Sequence, residues 1–256
     1  MLKKIGVTLL SLSIPAVAAA QWVDLTHDLS DQSIFWPTAE PFELSVDAEG
    51  VTEGGYYYSA YSFCTAEHGG THIDAPVHFA EGRETVDQIP LDRLIGPAFV
   101  IDVTGEAQAN RDYQVTTRDI TAWEVEHGRL PEGAIVLLRT GFGGFWPDPK
   151  DYLGTAKRGD AGVRELHFPG LHPDAARWLV EERHVGSVGI DTASIDYGQS
   201  QDFAAHVALM TANVPAFENV ANLHLLPAQG ALVVALPVKI KGGSGGPLRI
   251  VAKLPE

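Results

Sequence analysis

The chain has 256 residues, of which 45% are hydrophobic and 20% are charged, and these proportions are typical of a globular protein rather than a disordered one. Acidic residues outnumber basic ones by 33 to 18, which gives a formal charge of −15. Because no cluster of lysine and arginine interrupts this negative charge, we expect no nucleic-acid partner. A single cysteine, Cys64, excludes an intramolecular disulfide and a cysteine-rich metal site, so any metal must be bound by histidines and carboxylates.

The first twenty residues have the three parts of a secretory signal peptide. Lys3 and Lys4 precede an apolar stretch over residues 5–14, and Ala18 and Ala20 then form an Ala-x-Ala cleavage site. The apolar stretch is too short to span a bilayer, and no later stretch is long and apolar enough. The sequence therefore predicts a signal peptide over residues 1–20, cleavage before Gln21 and an exported protein, periplasmic or secreted, without a membrane partner.

Short apolar runs rich in β-branched residues recur along the remaining chain. They predict strands at Pro97–Val103, Ala134–Arg139, Val185–Ile190 and Ala231–Leu236. Their continuous apolar character favours a sheet that is covered on both faces. Together with the helices described next, they predict a mixed α/β (α+β) fold in a single domain over residues 21–256.

Two amphipathic stretches carry signals for the start of a helix. The first begins with a capping hydroxyl, and the second has a proline in its first turn. They predict helices over Thr117–His127 and Pro173–Arg183. The residues expected to face the core are Ile120, Trp123 and Val125 in the first helix, and Ala176, Leu179 and Val180 in the second.

A glycine-rich segment over residues 241–247, Lys-Gly-Gly-Ser-Gly-Gly-Pro, has the composition of a phosphate-binding loop. It lacks the Gly-Lys-Ser/Thr ending of that motif, and Pro247 opposes a helix where the motif needs one. The segment therefore favours a tight turn that leads into the last strand.

The segment most informative about chemistry spans residues 67–79, Glu-His-Gly-Gly-Thr-His-Ile-Asp-Ala-Pro-Val-His-Phe. Its glycines and proline disfavour a helix, so His68 and His72 do not form a helical zinc-protease motif. In an extended chain His72 and Asp74 project from one face, and His68 and His78 come within reach if the chain bends. Imidazole and carboxylate groups at this spacing suit Zn²⁺ or Mn²⁺, whereas the alternative is a set of core histidines bonded to backbone.

A second pair of candidate ligands lies downstream, where His206 and Glu218 are twelve positions apart in apolar surroundings. Alone, His206 could be structural and Glu218 a surface charge. A carboxylate buried in such surroundings would need a cation or several hydrogen-bond donors. This requirement favours metal ligation at both positions.

The segment from His68 to Phe79 resembles the signature of the cyclase family, which includes bacterial kynurenine formamidases and isatin hydrolases. The resemblance continues in family order through residues 23–27, 35–37, 189–196 and 236–249. It implies a metal-dependent hydrolase with a swivelling β/β/α fold that acts on a small-molecule substrate. Because members are commonly oligomeric, we expect a homo-oligomer, a dimer or tetramer.

The resemblance also assigns a set of metal ligands. His68, His72 and Asp74 match ligands of the family, with Asp74 as a bridge between two ions, and His206 and Glu218 match the remaining ligands of the formamidase branch. Five ligands exceed the roughly three that one catalytic zinc with an open position needs. We therefore expect two divalent ions per chain, Zn²⁺ or Mn²⁺.

Two further roles follow from the resemblance. His78 matches the proton-transfer residue, and Trp36 falls where formamidases place an aromatic side chain against the substrate. The expected reaction is hydrolysis of the C–N or C–O bond of a small amide, cyclic amide or ester-like substrate by a metal-activated water, with His78 as general acid and base. The alternatives are an exported metal- or ligand-binding protein without catalysis and a metal-assisted cyclase or dehydratase. Kynurenine formamidase activity fits export poorly, since tryptophan breakdown is usually cytoplasmic.

Overall fold

The computed structural model describes residues 21–255, and the predicted signal peptide over residues 1–20 lies outside these described residues. The strands of the structure are β1 (Trp22–Asp24), β2 (Glu43–Val51), β3 (Tyr57–Cys64), β4 (His72–Asp74), β5 (Ile95–Asp102), β6 (Gln114–Val115), β7 (Ile135–Arg139), β8 (Gly170–Leu171), β9 (Ser187–Ile190), β10 (Ala216–Glu218), β11 (Gln229–Pro237) and β12 (Gly245–Lys253). The α-helices are α1 (Thr104–Ala109), α2 (Thr117–His127), α3 (Pro149–Leu153), α4 (Gly159–Val163), α5 (Pro173–Arg183) and α6 (Ala204–Thr211).

The main sheet has eight strands in the order β1-β12-β11-β5-β7-β9-β10-β4. Strand β12 pairs additionally with β4, so the sheet closes on itself in a barrel-like arrangement. The neighbours β5, β7, β9 and β10 run parallel, and the remaining pairs are antiparallel. The mixed α/β fold in one domain, predicted from the sequence, is confirmed.

The central strands separate two apolar layers. Val136 and Leu138 of β7 point into a cluster with the inner faces of α2, α5 and α6, whereas Ile135 and Leu137 point into a second cluster with β11 and β12. This explains why the sequence of β7 is continuously apolar: both of its faces are buried. Strand β11 differs because alternate residues, among them Leu232, are exposed, so the expectation that every strand is covered on both faces is wrong there.

The predicted helices over Thr117–His127 and Pro173–Arg183 are confirmed as α2 and α5. In α2 a capping box joins Thr116 and Asp119 at the N-terminus. The prediction that Val125 faces the core is wrong, because this side chain is 87% exposed. Val125 follows Trp123 by two positions, about half a helical turn, and therefore lies on the opposite face.

Strands β2 and β3 form a separate two-stranded sheet. This sheet and the turn between its strands carry eight of the exposed large hydrophobic side chains: Leu44, Val46, Val51, Tyr56, Tyr57, Tyr58, Tyr61 and Phe63. Among the described residues, no helix combines the length and the apolar character that crossing a membrane requires.

Candidate metal centre

The candidate metal-binding motif of the sequence lies where the barrel closes. Strand β4 is only three residues long, and it pairs with β10 on one side and with the start of β12 on the other. All three of its residues are buried, and Glu218 of β10 lies opposite His72. The extended conformation places His72 and Asp74 on the same face, as the spacing predicts.

The chain turns sharply just before β4. Gly70 has a φ of +60°, a left-handed conformation that glycine adopts without strain. A Cβ atom on Gly69 would lie 2.0 Å from the ring of Phe35. This turn folds His68 back over the strand, so that its Nδ1 lies 2.6 Å from Asp74 Oδ1.

The five predicted ligands lie in one cluster, in which three histidines surround two carboxylates. Asp74 Oδ1 lies 2.6 Å from His68 Nδ1 and 3.1 Å from His72 Nε2, whereas Asp74 Oδ2 lies 3.0 Å from His206 Nε2. Glu218 Oε1 lies 3.1 Å from His206 Nε2, and Glu218 Oε2 lies 3.5 Å from His72 Nε2. Asp74 therefore faces three imidazole groups and Glu218 faces two, and in each carboxylate the two oxygens face different histidines.

The outer nitrogens of two of these histidines are hydrogen-bonded. His72 Nδ1 lies 2.9 Å from the carbonyl oxygen of Gly70, and His206 Nδ1 lies 2.6 Å from Asp196 Oδ2. If both Nδ1 atoms donate, both Nε2 atoms keep a lone pair that points into the site. The Nε2 of His72 is buried and makes no hydrogen bond, which fits a role as a metal ligand.

The electrostatics of the centre also fit a cation. Burial and the nearby Asp74 carboxylate raise the pKa of Glu218, because two buried negative charges repel. Burial opposes protonation of His206, but its contacts with Asp196, Asp74 and Glu218 outweigh burial and raise its pKa well above the ordinary value. Positive charge is thus stabilised at this point. Three imidazole nitrogens and two carboxylates suit Zn²⁺ or Mn²⁺.

His78 lies at the edge of the centre, in a short 3₁₀-helix that directly follows β4. Its ring stacks on His68 with centroids 3.8 Å apart. Burial and the neighbouring histidines lower the pKa of His78 to about 4, although Asp74 opposes this shift. A ring nitrogen of His78 also lies within 4.8 Å of ligand atoms of His68 and Asp74, so the geometry permits proton transfer and ligation alike.

A cavity of about 290 Å³ opens above the metal centre. Its wall is aromatic and includes Phe35, Trp36, Phe79 and Phe203. Trp36 contacts the ring of Phe203 with centroids 6.4 Å apart, and the rings of Phe79 and Phe203 are 5.2 Å apart. Trp36 therefore lies at the cavity, where the resemblance expects it, and a flat ring could pack between these side chains.

Sequence reasoning missed several residues of the site. Phe203 precedes His206 by about one helical turn and has a φ of +50°, a conformation that the sequence does not reveal. Glu67 begins the histidine-rich segment and Asp196 ends the family-like stretch over residues 189–196, but the sequence assigns no role to either carboxylate. Ser244 lies in the glycine-rich segment; the predicted tight turn into the last strand is confirmed, but its approach to His68 was not foreseen.

The Cyclase family model matches residues 23–197 of the chain. The chain is 36% identical to isatin hydrolase from Roseibium aggregatum over 74% of its own length and 73% of that protein. It is 27% identical to kynurenine formamidase from Bacillus mycoides over 91% of its own length and 98% of that protein.

The fold matches as well. The structure of isatin hydrolase A from Labrenzia aggregata bound to benzyl benzoate aligns with a TM-score of 0.84 and 36% identity, covering 94% of this chain and 96% of that one. Because the family model spans more than half of the chain and the sequence relatives agree with it, the protein belongs to the cyclase family.

Proposed function

We propose that this protein hydrolyses the carbon–nitrogen bond of a small aromatic amide or cyclic amide. The observation that carries the proposal is the convergence of three imidazoles and two carboxylates below an aromatic-walled cavity. The hydrolase class predicted from the sequence is confirmed by relatives named isatin hydrolase and kynurenine formamidase.

Two divalent ions, Zn²⁺ or Mn²⁺, would use all five ligands. The two oxygens of Asp74 face different histidines, Oδ1 toward His68 and His72 and Oδ2 toward His206, and this arrangement supports Asp74 as the bridge. Bound divalent ions would supply a water whose pKa is near about 7, instead of about 15.7.

The chain's own residues complete the reaction. His78, held neutral beside the centre, accepts the proton of the attacking water and passes it to the leaving nitrogen. Trp36 and Phe203 hold the aromatic part of the substrate by stacking. The apolar wall reduces access of bulk water, which strengthens the electrostatic interactions within the cavity.

The test is a substrate screen with purified protein loaded with Zn²⁺ or Mn²⁺. Isatin, N-formyl aromatic amides and aromatic lactones should be compared with aliphatic amides of similar size, and only the aromatic set should be hydrolysed well. Trp36→Ala should raise KM for the best substrate more than it lowers kcat. A protein that binds cations but hydrolyses none of these compounds would instead be a binding protein without catalysis.

We also propose that residues 1–20 direct export, which the three-part pattern of the sequence supports. The mature protein isolated from its native host should begin at Gln21. N-terminal sequencing that returns Met1 would contradict export by this route.

A homo-oligomer is proposed from the hairpin of β2 and β3. Its exposed side chains Leu44, Val46, Tyr61 and Phe63 share one face, since Leu44 lies opposite Phe63 and Val46 opposite Tyr61. A lone two-stranded hairpin is marginally stable in water, so we propose that a second copy of the chain covers this face. Sedimentation of the wild type and of Val46→Asp should show a loss of assembly in the variant.

A further inference from the structure

The turn between β11 and β12 contacts the outer edge of the first metal-site histidine. His68 has Nδ1 at 2.6 Å from Asp74 Oδ1, and its other ring nitrogen, Nε2, at 2.9 Å from the hydroxyl oxygen of Ser244. These two residues are 176 positions apart in the sequence. The side of the imidazole that faces away from the metal centre is therefore occupied by a hydroxyl group.

The hydroxyl of Ser244 is itself held by a carboxylate. Glu67 Oε2 accepts hydrogen bonds from Ser244 Oγ at 2.6 Å and from the backbone nitrogen of Ser244 at 3.0 Å. A carboxylate can only accept, so the hydroxyl proton is directed at Glu67. The lone pairs of Ser244 Oγ then remain for His68, which must donate from Nε2.

The glycines of the turn make this close approach possible. A Cβ atom on Gly245 would lie 2.6 Å from His68 Cε1, and one on Gly243 would lie 2.7 Å from Glu67 Oε1. The backbone nitrogen of Ala75 donates to the carbonyl oxygen of Ser244 at 2.8 Å, which ties the turn to the end of β4. The glycine-rich segment therefore leaves the space that the side chains of Glu67 and His68 occupy.

We propose that Glu67 and Ser244 are positioning residues that hold His68 in its Nε2-protonated tautomer, with the Nδ1 lone pair directed into the metal centre. The inference rests on the proposed function, because it assigns how one of the proposed ligands is oriented. The outer ring nitrogens of His72 and His206 are held in the same way, by the carbonyl oxygen of Gly70 and by the Asp196 carboxylate. Losing such an outer partner typically weakens metal binding about 10- to 100-fold.

The test uses the full-length mature protein and the variants Ser244→Ala, Glu67→Gln and their combination. Chelator competition gives the dissociation constants for Zn²⁺, and ¹⁵N NMR of the imidazoles gives the tautomer of His68 in the Zn²⁺-loaded protein. Ser244→Ala should weaken binding of one cation about 10- to 100-fold and lose the single Nε2–H tautomer. Glu67→Gln should have a smaller effect, since its amide oxygen can still accept from Ser244.

The double variant tests the order of the chain of hydrogen bonds. Because Glu67 reaches His68 through Ser244, the combination should bind Zn²⁺ no more weakly than Ser244→Ala alone. Ser45→Ala and Glu53→Gln, both on the exposed hairpin, should bind as the wild type does. Ser244→Thr keeps a hydroxyl at this position and should keep the Nε2–H tautomer. If Ser244→Ala does not fold, the smaller loss of Zn²⁺ affinity in Glu67→Gln tests the same chain of hydrogen bonds.

Two results would overturn the inference: unchanged Zn²⁺ affinity and tautomer in Ser244→Ala, or effects of the two substitutions that multiply in the double variant. A wild type that binds no Zn²⁺ or Mn²⁺ would instead refute the proposed metal centre. In that case the hydrogen bond made by His68 Nε2–H, followed by ¹⁵N NMR in the wild type and in Ser244→Ala, still decides whether Ser244 orients the ring.

Discussion

Asp74 Oδ2 lies 3.0 Å from His206 Nε2, although 132 positions separate the two residues in the sequence. Strand β4 carries the aspartate into the seam of the barrel, and α6 presents the histidine from the helical layer. The other oxygen of the same carboxylate faces His68 and His72. One side chain therefore joins the histidines of the sequence motif to the histidine of a distant helix.

In the proposed two-cation centre, this position makes Asp74 the residue on which both cations would depend. Asp74→Asn keeps the size of the side chain but removes the negative charge, and we expect both cations to be lost. His206→Ala should remove only one, because His68 and His72 remain. Elemental analysis after reconstitution and gel filtration measures the stoichiometry. Full wild-type stoichiometry in Asp74→Asn would show that Asp74 does not bridge.

Proton transfer and metal binding can be separated with two histidine variants. His78→Ala should keep the cations but lose about 10²- to 10⁴-fold in turnover, the usual contribution of a general acid–base group. His72→Ala should lose metal and activity together, since it removes a ligand. Metal content and kcat are measured on the same preparations.

The results could also assign the roles differently. If His78→Ala loses metal as fully as His72→Ala does, then His78 is a ligand, a role that its distance to His68 and Asp74 permits. If His78→Ala keeps both metal and full turnover, the proton is transferred by another group.

The sequence predicts those parts of the fold and site that depend on neighbouring residues. Helices α2 and α5 have local start signals and end where predicted, and the extended segment around His72 follows from its glycines and proline. The link between Glu218 and His72 depends on the register of β10 against β4, a long-range pairing that local patterns do not encode. The assignment of Glu218 as a ligand rests on its apolar surroundings and on the family resemblance instead.

The same distinction explains what was missed. Ser244 reaches His68 because β12 also pairs with β4, and the composition of the glycine-rich turn contains no sign of that contact. The error at Val125 has a local reason, since its apolar side chain suggests burial whereas its position in the helical turn places it on the exposed face.

The free energy of unfolding should decrease as the pH is lowered, and His27 should account for part of this decrease. Its ring stacks on Trp146 with centroids 4.2 Å apart, and burial lowers its pKa to about 4, although Asp28 opposes the shift. The unfolded chain protonates this histidine near about pH 6.5, so the unfolded state binds more protons below that pH. The free energy of unfolding therefore decreases from about pH 6.5 down to about pH 4, where the loss is complete.

The variant His27→Phe keeps an aromatic ring on Trp146 but cannot titrate. Relative to the wild type, it should lose about 1–3 kcal/mol less of its free energy of unfolding between about pH 6.5 and pH 4. Urea unfolding across this range measures the difference, with the exposed His224→Gln as a control. Parallel pH profiles of the wild type and His27→Phe would contradict a buried neutral His27.

The turn before β4 provides a prediction that links packing to substrate binding. A Cβ atom on Gly69 would lie 2.0 Å from the ring of Phe35, and the two residues form an isolated β-bridge. Gly69→Ala must therefore displace Phe35, which lines the cavity beside Trp36. Overpacking of this kind costs about 1–3 kcal/mol in free energy of unfolding.

Because Phe35 forms part of the cavity wall, Gly69→Ala should also raise KM for an aromatic substrate. Gly105→Ala in α1 is the matched control, since a Cβ atom there meets no atom within 4 Å and alanine favours the helix. It should leave KM unchanged and keep or slightly increase stability. Urea unfolding and steady-state kinetics measure both quantities on each variant. If Gly69→Ala is as stable as the wild type and binds substrate equally well, the cavity wall at Phe35 yields easily and does not shape the substrate site.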